Sequence, residues 1–321
     1  MKILILRFSS IGDIVLTTPV VRCLKQQLNG CEIHYATKSR FASLLQDNPY
    51  IDKVHLLENS LPDLIKELRQ ENFDFVIDLH HNLRTFFIKK LVNGKSFSFN
   101  KINFEKWLMV NFKINHLPSE HIVDRYLKTV ETLGVKGDRR ELDFFLNEEE
   151  AAFGKVFSTK NNYIAFAIGG QFNTKKMPPE RIVELINSLR KNVVLLGGKE
   201  DEAAANFIAS KTKLVGNFCG KISIHQSAAI IKYADAVITH DTGMMHIAAA
   251  FQKKIVTIWG NTIPQFGMQP YLQNDLFFNA EVDDLKCRPC SKIGFDACPK
   301  KHFNCMNLQN INSIKLAMDK L

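Results

Sequence analysis

Short apolar runs alternate with amphipathic stretches along most of this 321-residue chain, and that rhythm constrains the fold more than any other feature. A run of four to eight apolar residues is typical of a buried strand, and apolar residues at helical spacing indicate a helix. Strands are predicted at residues 2–8, 32–37, 53–57, 73–79, 163–168, 193–196, 236–239 and 255–259. Helices are predicted at residues 13–28, 61–71, 119–133, 179–191, 200–210, 224–233, 243–251 and 309–320. This alternation predicts an α/β protein whose parallel sheets are covered by helices.

A polar stretch over roughly residues 136–160 interrupts the rhythm, which then restarts. A chain of this length suits about two domains. We therefore expect two consecutive, doubly wound, Rossmann-like domains over residues 1–155 and 156–321. The last helix could pack back across either of them.

The composition limits the class of protein. Hydrophobic residues make up 45% and charged residues 23%, which is ordinary for a globular protein. No apolar stretch approaches the ~20 residues of a spanning helix, and the apolar start is too short for a secretory signal, so we expect a cytoplasmic protein. The net charge of +9, of which residues 151–321 carry +8, favours anionic partners. Because the chain contains no nucleic-acid-binding motif, we expect no nucleic-acid partner.

Polar loops follow several predicted strands, and open parallel sheets bind ligands outside the carboxyl ends of their strands. Asp13 opens the first helix, where a carboxylate serves either as a general base or as a helix cap. The glycine pair that ends at Gly170 lets a ligand approach the backbone closely. Lys175 and Lys176 follow this pair, so the segment suits a diphosphate, with a plain strand-to-helix turn as the alternative.

A second loop of this kind spans residues 240–243, between a strand and a helix. Free amides of Thr242 and Gly243 at the helix start would bind phosphate. Asp241 beside them suits a sugar hydroxyl, or it is the N-cap of the helix. Glu200 follows another predicted strand, where a carboxylate is able to accept hydrogen bonds from ribose hydroxyls. The alternative is that Glu200 lies in a solvated first helical turn.

Together these segments resemble glycosyltransferase family 9, the heptosyltransferases that build the inner core of lipopolysaccharide. The resemblance is carried by SSIGDIVLTTPVVRCL, KKMPPERIVELI, LLGGKED and THDTGMMHIAAAFQKKIVTIWGNTIPQFGMQPY. It implies a GT-B fold, in which two Rossmann-like domains face a cleft, with the acceptor on the N-terminal domain and a nucleotide sugar on the C-terminal domain. The implied reaction moves a heptose from ADP-heptose to an inner-core acceptor of the lipid A/Kdo type, with inversion and without a catalytic metal. The alternative is a GT-B transferase for a different nucleotide sugar or glycan acceptor in cell-envelope polysaccharide synthesis.

The resemblance also assigns roles to single residues of this chain. Asp13 would be the base that deprotonates the acceptor hydroxyl, and Ser10 and Gly12 beside it are candidates for acceptor binding. Arg84, six residues after a strand end, is our candidate for an acceptor anion. The candidates for donor binding are Gly170, Lys175, Lys176, Glu200, Asp241, Thr242, Gly243 and His246, the last as a brace.

Residues 84–113 combine seven Lys and Arg residues, against one acidic residue, with six Phe residues and Trp107. Bulky apolar and basic residues together suit a membrane interface with anionic lipid. We therefore expect contact with a phosphorylated glycolipid acceptor or a peripheral contact with the inner membrane. The alternative is that the aromatic residues belong to the core and the lysines to a solvated face.

Four of the seven cysteines cluster at Cys287, Cys290, Cys298 and Cys305. The Cys-x2-Cys spacing is a common half-site for structural zinc, although the later spacings are loose and His302 offers a substitute ligand. The surrounding lysines would favour thiolates. Structural zinc, disulfides and free thiols all remain open for this cluster.

Overall fold

The computed structural model describes residues 1–58, 60–159 and 162–320, and the chain divides into two compact units. The first unit comprises Met1–Lys101 and Glu120–Phe145, and the second comprises Ile102–Ser119 and Leu146–Leu321. These limits differ from the predicted boundary at 155 in two ways. The main part of the second unit begins at Leu146, ten residues before the predicted start at 156. The second unit also includes Ile102–Ser119, a segment that lies inside the predicted first domain.

The first unit is built on a five-stranded sheet in which every neighbouring pair is parallel and the order is β3-β2-β1-β4-β5. Its strands are β1 (Lys2–Leu6), β2 (Glu32–Lys38), β3 (Lys53–Leu57), β4 (Phe75–Asp78) and β5 (Lys95–Ser98). Its helices are α1 (Ile11–Val15), α2 (Thr18–Gln27), α3 (Ser43–Gln46), α4 (Leu61–Gln70), α5 (Leu83–Leu91) and α7 (Ile122–Leu127). The central strand β1 is apolar and buried, as strands covered on both faces must be. Leu4 and Leu6 pack with Val76 and Ile88 in the core beneath the helices.

The second unit is built on a six-stranded parallel sheet of order β11-β10-β9-β6-β7-β8. Its strands are β6 (Ile164–Ala167), β7 (Val193–Leu196), β8 (Gly216–Asn217), β9 (Ala236–His240), β10 (Ile255–Ile258) and β11 (Phe277–Ala280). Its helices are α6 (Asn103–Phe112), α8 (Glu148–Ser158), α9 (Pro179–Ser188), α10 (Glu202–Lys211), α11 (Ile224–Tyr233), α12 (Gly243–Ala250), α13 (Asn304–Asn307) and α14 (Ile311–Lys320). The last helix, α14, packs on α9, β10 and β11 of its own unit.

The structure corrects several predicted elements. The polar stretch at 136–160 contains α8, which packs closely on α11: a side chain at Gly154 would lie 2.5 Å from the carbonyl oxygen of Ala229. The predicted helix 13–28 is divided into α1 and α2, and Pro19 lies in the first turn of α2. The predicted helix 119–133 is shortened to α7, whose cap is His121 rather than Ser119. The edge strands β5, β8 and β11 went unpredicted because each has at most four residues and Ala280 is the one buried residue among them, so no run of buried apolar residues marks them.

Among the described residues, no helix is both long enough and apolar enough to cross a membrane.

Candidate active site

The loop after β1 carries an acidic side chain held by a buried arginine. Arg7 Nη2 lies 2.7 Å from Asp13 Oδ1. The Ser10 amide and hydroxyl donate to Asp13 Oδ2 at 3.1 and 2.8 Å. Arg7 also donates to the hydroxyl of Tyr126 at 2.8 Å. Asp13 is thus both a residue of the first turn of α1 and a carboxylate with a defined orientation, and its side chain remains 21% exposed.

These neighbours determine the charge of Asp13. Burial by itself would raise the pKa of the carboxyl, but the Arg7 guanidinium and the two Ser10 donors outweigh burial and hold the pKa below its usual value. Asp13 is therefore ionised throughout the neutral range. An ionised carboxylate that is partly open to solvent is able to accept a proton from a hydroxyl.

Further cations lie at the same carboxyl edge of the first sheet. The Arg84 guanidinium carbon lies 5.7 Å from the ring centre of Phe8, the residue next to Arg7. Lys38, at the end of β2, has a pKa lowered by burial and by the charges of Arg40 and Arg84. Three cations therefore lie near one another beside the loop of Asp13, where an anionic ligand would neutralise them. Of the other acceptor candidates, Ser10 contacts Asp13 directly, and Gly12 is buried within α1.

In the second unit, the loops after β6, β7 and β9 meet at the carboxyl end of the sheet. A side chain at Gly170 would lie 3.3 Å from Thr242 Cγ2 and 3.4 Å from Lys176 Cγ. At Gly169, it would lie 2.5 Å from Asp201 Oδ2. The glycine pair therefore leaves room for the close approach of the three loops, and a side chain at either position would displace its neighbours.

Lys175 and Asp241 form an ion pair in this region. Lys175 Nζ lies 2.6 Å from Asp241 Oδ2, and the hydroxyl of Thr262 donates to the same oxygen at 2.8 Å. Helix α12 begins immediately after, with Thr242 as its N-cap and Gly243 as its first residue. The Thr242 side chain makes no capping hydrogen bond, so it leaves amides of the first turn available to a ligand. A lysine beside a helix N-terminus is a favourable arrangement for a phosphate group.

The other donor candidates divide into exposed and internal groups. Lys176 Nζ lies 3.2 Å from Asp201 Oδ1, and Asp201 also accepts from the Gly198 amide at 2.9 Å. Asp201 is buried and holds the loop, whereas Glu200 is exposed and free to contact a ligand hydroxyl. The side chain of His246, in α12, is buried, and the bracing role of this residue stays a prediction.

The basic aromatic segment is shared between the two units. In the first unit, Lys89 pairs with the buried carboxylate of Asp78 at 2.9 Å, so this lysine stabilises the structure and is not a surface cation. In the second unit, α6 has no buried residue, and Phe104, Trp107 and Phe112 are each more than half exposed. The alternative that these aromatic residues form core is wrong for α6.

The clustered cysteines are all free thiols. Cys287 Sγ lies 3.9 Å from His302 Nε2, but among the described residues no three of the four sulfur atoms lie within 4.8 Å of one another. Burial raises the pKa of Cys290 to about 11 and of Cys305 to about 12, so the expected thiolates are corrected to thiols at these positions. This arrangement does not form a closed tetrahedral site, and zinc binding there stays a prediction.

Three residues at the two sheet ends described above escaped the sequence analysis. Arg7 belongs to an apolar strand run, and no local pattern marked it as a partner of Asp13. Lys38 is the last residue of β2, and a lysine at the carboxyl end of a parallel strand could have been predicted as a ligand-binding residue. Thr262 lies 21 residues from Asp241, and nothing local connects the two.

Comparison with known proteins agrees with this architecture. Residues 62–294 match the family model for glycosyltransferase family 9 (heptosyltransferase). The lipopolysaccharide heptosyltransferase 1 of Campylobacter coli is 27% identical over 289 residues, which is 82% of this chain and 84% of the relative. The structure of the family 9 glycosyl transferase from Veillonella parvula DSM 2008 superimposes with a TM-score of 0.78 at 21% identity, covering 99% of this chain and 96% of that chain. E. coli heptosyltransferase WaaC with ADP-2-deoxy-2-fluoro heptose superimposes with a TM-score of 0.72 at 19% identity, covering 100% and 99%. These neighbours confirm the expected GT-B fold.

Proposed function

Since the chain belongs to glycosyltransferase family 9, the heptosyltransferase family, we propose that it transfers a heptose from ADP-heptose to a lipopolysaccharide inner-core acceptor of the lipid A/Kdo type. In this proposal the reaction inverts the anomeric centre, needs no catalytic metal and takes place at the cytoplasmic face of the inner membrane. The observation that carries the proposal is the convergence of Gly170, Lys175 and the start of α12 at one end of the second sheet. That arrangement suits the diphosphate of a nucleotide sugar.

Asp13 is proposed as the base. Its carboxylate takes the proton of the acceptor hydroxyl while the oxygen attacks the anomeric carbon of the sugar. The bond from that carbon to the diphosphate oxygen breaks, and its electron pair leaves with ADP. Inversion needs one base only, because the hydroxyl enters from the face opposite the leaving group. The ion pair with Arg7 supports this role by keeping Asp13 ionised and oriented.

Lys175 and the amides at the start of α12 are proposed to bind the diphosphate. The leaving ADP gains negative charge as the bond breaks, and fixed positive groups at that position lower the barrier. Lys175 is held by Asp241 at 2.6 Å, which places its ammonium group before the donor arrives. These groups would stabilise that charge without a divalent ion. Glu200, with its exposed carboxylate, is proposed to accept from the ribose hydroxyls.

The acceptor is proposed to bring a phosphate or carboxylate group to Arg84, with Lys38 and Arg40 beside it. A hydrogen bond to a charged group contributes roughly 1.5–3 kcal/mol, so Arg84→Ala should raise the acceptor KM by about 10- to 100-fold. We expect kcat at saturating acceptor to change little. Steady-state kinetics with varied acceptor measure both constants. Arg69→Ala, at an exposed arginine on α4, is the matched control; an unchanged acceptor KM in Arg84→Ala would remove Arg84 from the acceptor site.

Helix α6 is proposed as the contact with the lipid surface. Its exposed Phe104 and Trp107 are suited to the interface of a bilayer, and Lys106 lies between them. The double variant Phe104→Ser, Trp107→Ser should lose most of its binding to vesicles that contain anionic lipid, measured by co-sedimentation. Phe207→Ser, at an exposed phenylalanine of α10, should bind like the unaltered protein. Equal binding by all three proteins would contradict the proposal.

The direct test of the function is a transfer assay with a panel of nucleotide sugars and a purified inner-core glycolipid. We expect transfer from ADP-heptose at least tenfold faster than from UDP-glucose or GDP-mannose. A clear preference for another nucleotide sugar would favour the alternative GT-B transferase, and its product would identify that donor.

A further inference from the structure

A cluster of histidines and carboxylates lies at the amino end of the first sheet, at the edge opposite the loop of Asp13. His34 is near the start of β2, and His55 lies in β3 beside it. Both imidazoles are completely buried. Glu71 follows α4 directly and faces the pair, with Oε2 at 4.0 Å from His34 Nδ1. The proposed transfer reaction uses none of these three residues.

The carboxylates beside the two rings favour one arrangement of the ring protons. His34 Nε2 lies 2.7 Å from Glu32 Oε1, and His55 Nδ1 lies 2.5 Å from Glu67 Oε1. An ionised carboxylate only accepts, so the nitrogen that faces it carries the proton. The remaining nitrogens, His34 Nδ1 and His55 Nε2, face each other at 2.8 Å. Two lone pairs would repel at this distance, and either a shared proton or a metal cation bound to both nitrogens would relieve this repulsion.

We propose that His34 Nδ1, His55 Nε2 and Glu71 Oε2 bind a divalent transition-metal ion of the zinc class. The three residues each offer one ligand atom, and these atoms lie within 4.8 Å of one another. Two imidazoles and one carboxylate are a ligand set that zinc accepts, with water in the fourth position. Tetrahedral geometry with zinc–nitrogen distances near 2.0–2.1 Å needs roughly 3.3 Å between the ring nitrogens, so they separate by about half an ångström when the ion enters.

The surrounding carboxylates strengthen this assignment. Histidines that bind metal commonly donate their other N–H to a carboxylate, which holds the ring orientation and raises its basicity. Glu32 and Glu67 do so here for both rings at once. A buried histidine pair that served packing alone would not require a carboxylate acceptor on the outer nitrogen of each ring.

The local charge also favours a dication. Glu32, Glu67 and Glu71 supply three negative charges, and Lys2 and Lys53 offset two of them. Lys2 Nζ lies 2.8 Å from Glu71 Oε2, so the lysine has to yield that oxygen to the ion. The bound ion would join β2, β3 and the end of α4. Its role is therefore structural, and it takes no part in the transfer of the sugar.

The test uses the full chain, freed of metal with a chelator and titrated with Co²⁺ as a visible-light reporter of zinc sites. We expect one equivalent of tetrahedral Co²⁺ without a sulfur-to-cobalt charge-transfer band, displaced by Zn²⁺. His55→Gln should lose this equivalent, and Glu71→Gln, at a partly exposed position, should weaken binding by at least tenfold. Zn²⁺ should also raise the Tm of the unaltered protein and leave that of His55→Gln unchanged, because an ion that binds only the folded chain stabilises it.

His302→Gln is the matched control, since His302 lies at the cysteine cluster and not at this site. It should keep the sulfur-free Co²⁺ spectrum. The proposal is overturned if the unaltered protein binds no Co²⁺, if its only bound Co²⁺ shows sulfur charge transfer, or if His55→Gln and Glu71→Gln bind as tightly as the unaltered protein. The unaltered protein alone decides the first two outcomes, so the test does not depend on the variants folding.

Discussion

Replacing Asp13 with asparagine is expected to lower kcat by ~10²-fold or more, the usual scale of general base catalysis. The amide has nearly the same shape as the carboxylate, but it cannot accept the proton of the acceptor hydroxyl. Donor and acceptor KM should change much less than kcat, because the lost interaction acts in the transition state. Steady-state kinetics measure these constants, and the Tm of the variant checks that the fold persists.

Ser10→Ala is the matched control for this variant. It removes the 2.8 Å hydroxyl donor to Asp13 but leaves the carboxylate and its ion pair with Arg7. Its kcat should fall by much less than that of Asp13→Asn. Near-normal turnover in folded Asp13→Asn would eliminate Asp13 as the base.

A pH profile separates the role of a base from a structural role. Because the pKa of Asp13 is lowered in the folded protein, activity should persist below the ordinary carboxyl value of about 3.9 and fall only as pH drops through the lowered pKa. Arg7→Gln removes the guanidinium that lowers the pKa of Asp13. Burial, which raises this pKa, should then have the larger effect. The acid limb of kcat/KM should then move to higher pH, which a purely structural Asp13 would not cause.

Replacing Lys175 with methionine is expected to lower kcat/KM for the donor by ~10²- to 10³-fold, as the loss of one charge-stabilising donor does in other active sites. The ammonium group would no longer face the diphosphate, and Asp241 would lose its partner at 2.6 Å. ADP affinity should fall by roughly 10- to 100-fold, because a hydrogen bond to a charged group is lost. Kinetics with varied donor and calorimetry with ADP measure the two effects.

Two further lysines make this experiment decisive. Lys176→Met should have the smaller effect, since Lys176 pairs with the buried Asp201, and Lys254→Met, at an exposed lysine, should have none. If Lys176→Met lost activity while Lys175→Met retained it, the diphosphate would be assigned to Lys176. Full activity in both variants would remove this loop from the donor site.

Most of the fold was predictable from local patterns. Three elements were predicted to the residue: the strands at 53–57 and 193–196 and the helix at 224–233. They could be predicted because the buried face of a strand or helix shows as apolar residues at the spacing of that element. Helix α8 was missed because its first turn is acidic and only Gly154 is buried. Helix α6 has no buried residue and therefore no such pattern.

The amino-acid order alone determined that two parallel α/β units would form, and it identified the strand ends at which Asp13, Lys175 and Asp241 lie. Tertiary structure alone decided which side chains became neighbours: Arg7 with Asp13, Thr262 with Asp241, and His34 with His55. The reason is that periodicity reflects short-range burial along one element. Contacts between side chains on different strands depend instead on sheet order, register and loop path, which no local pattern specifies.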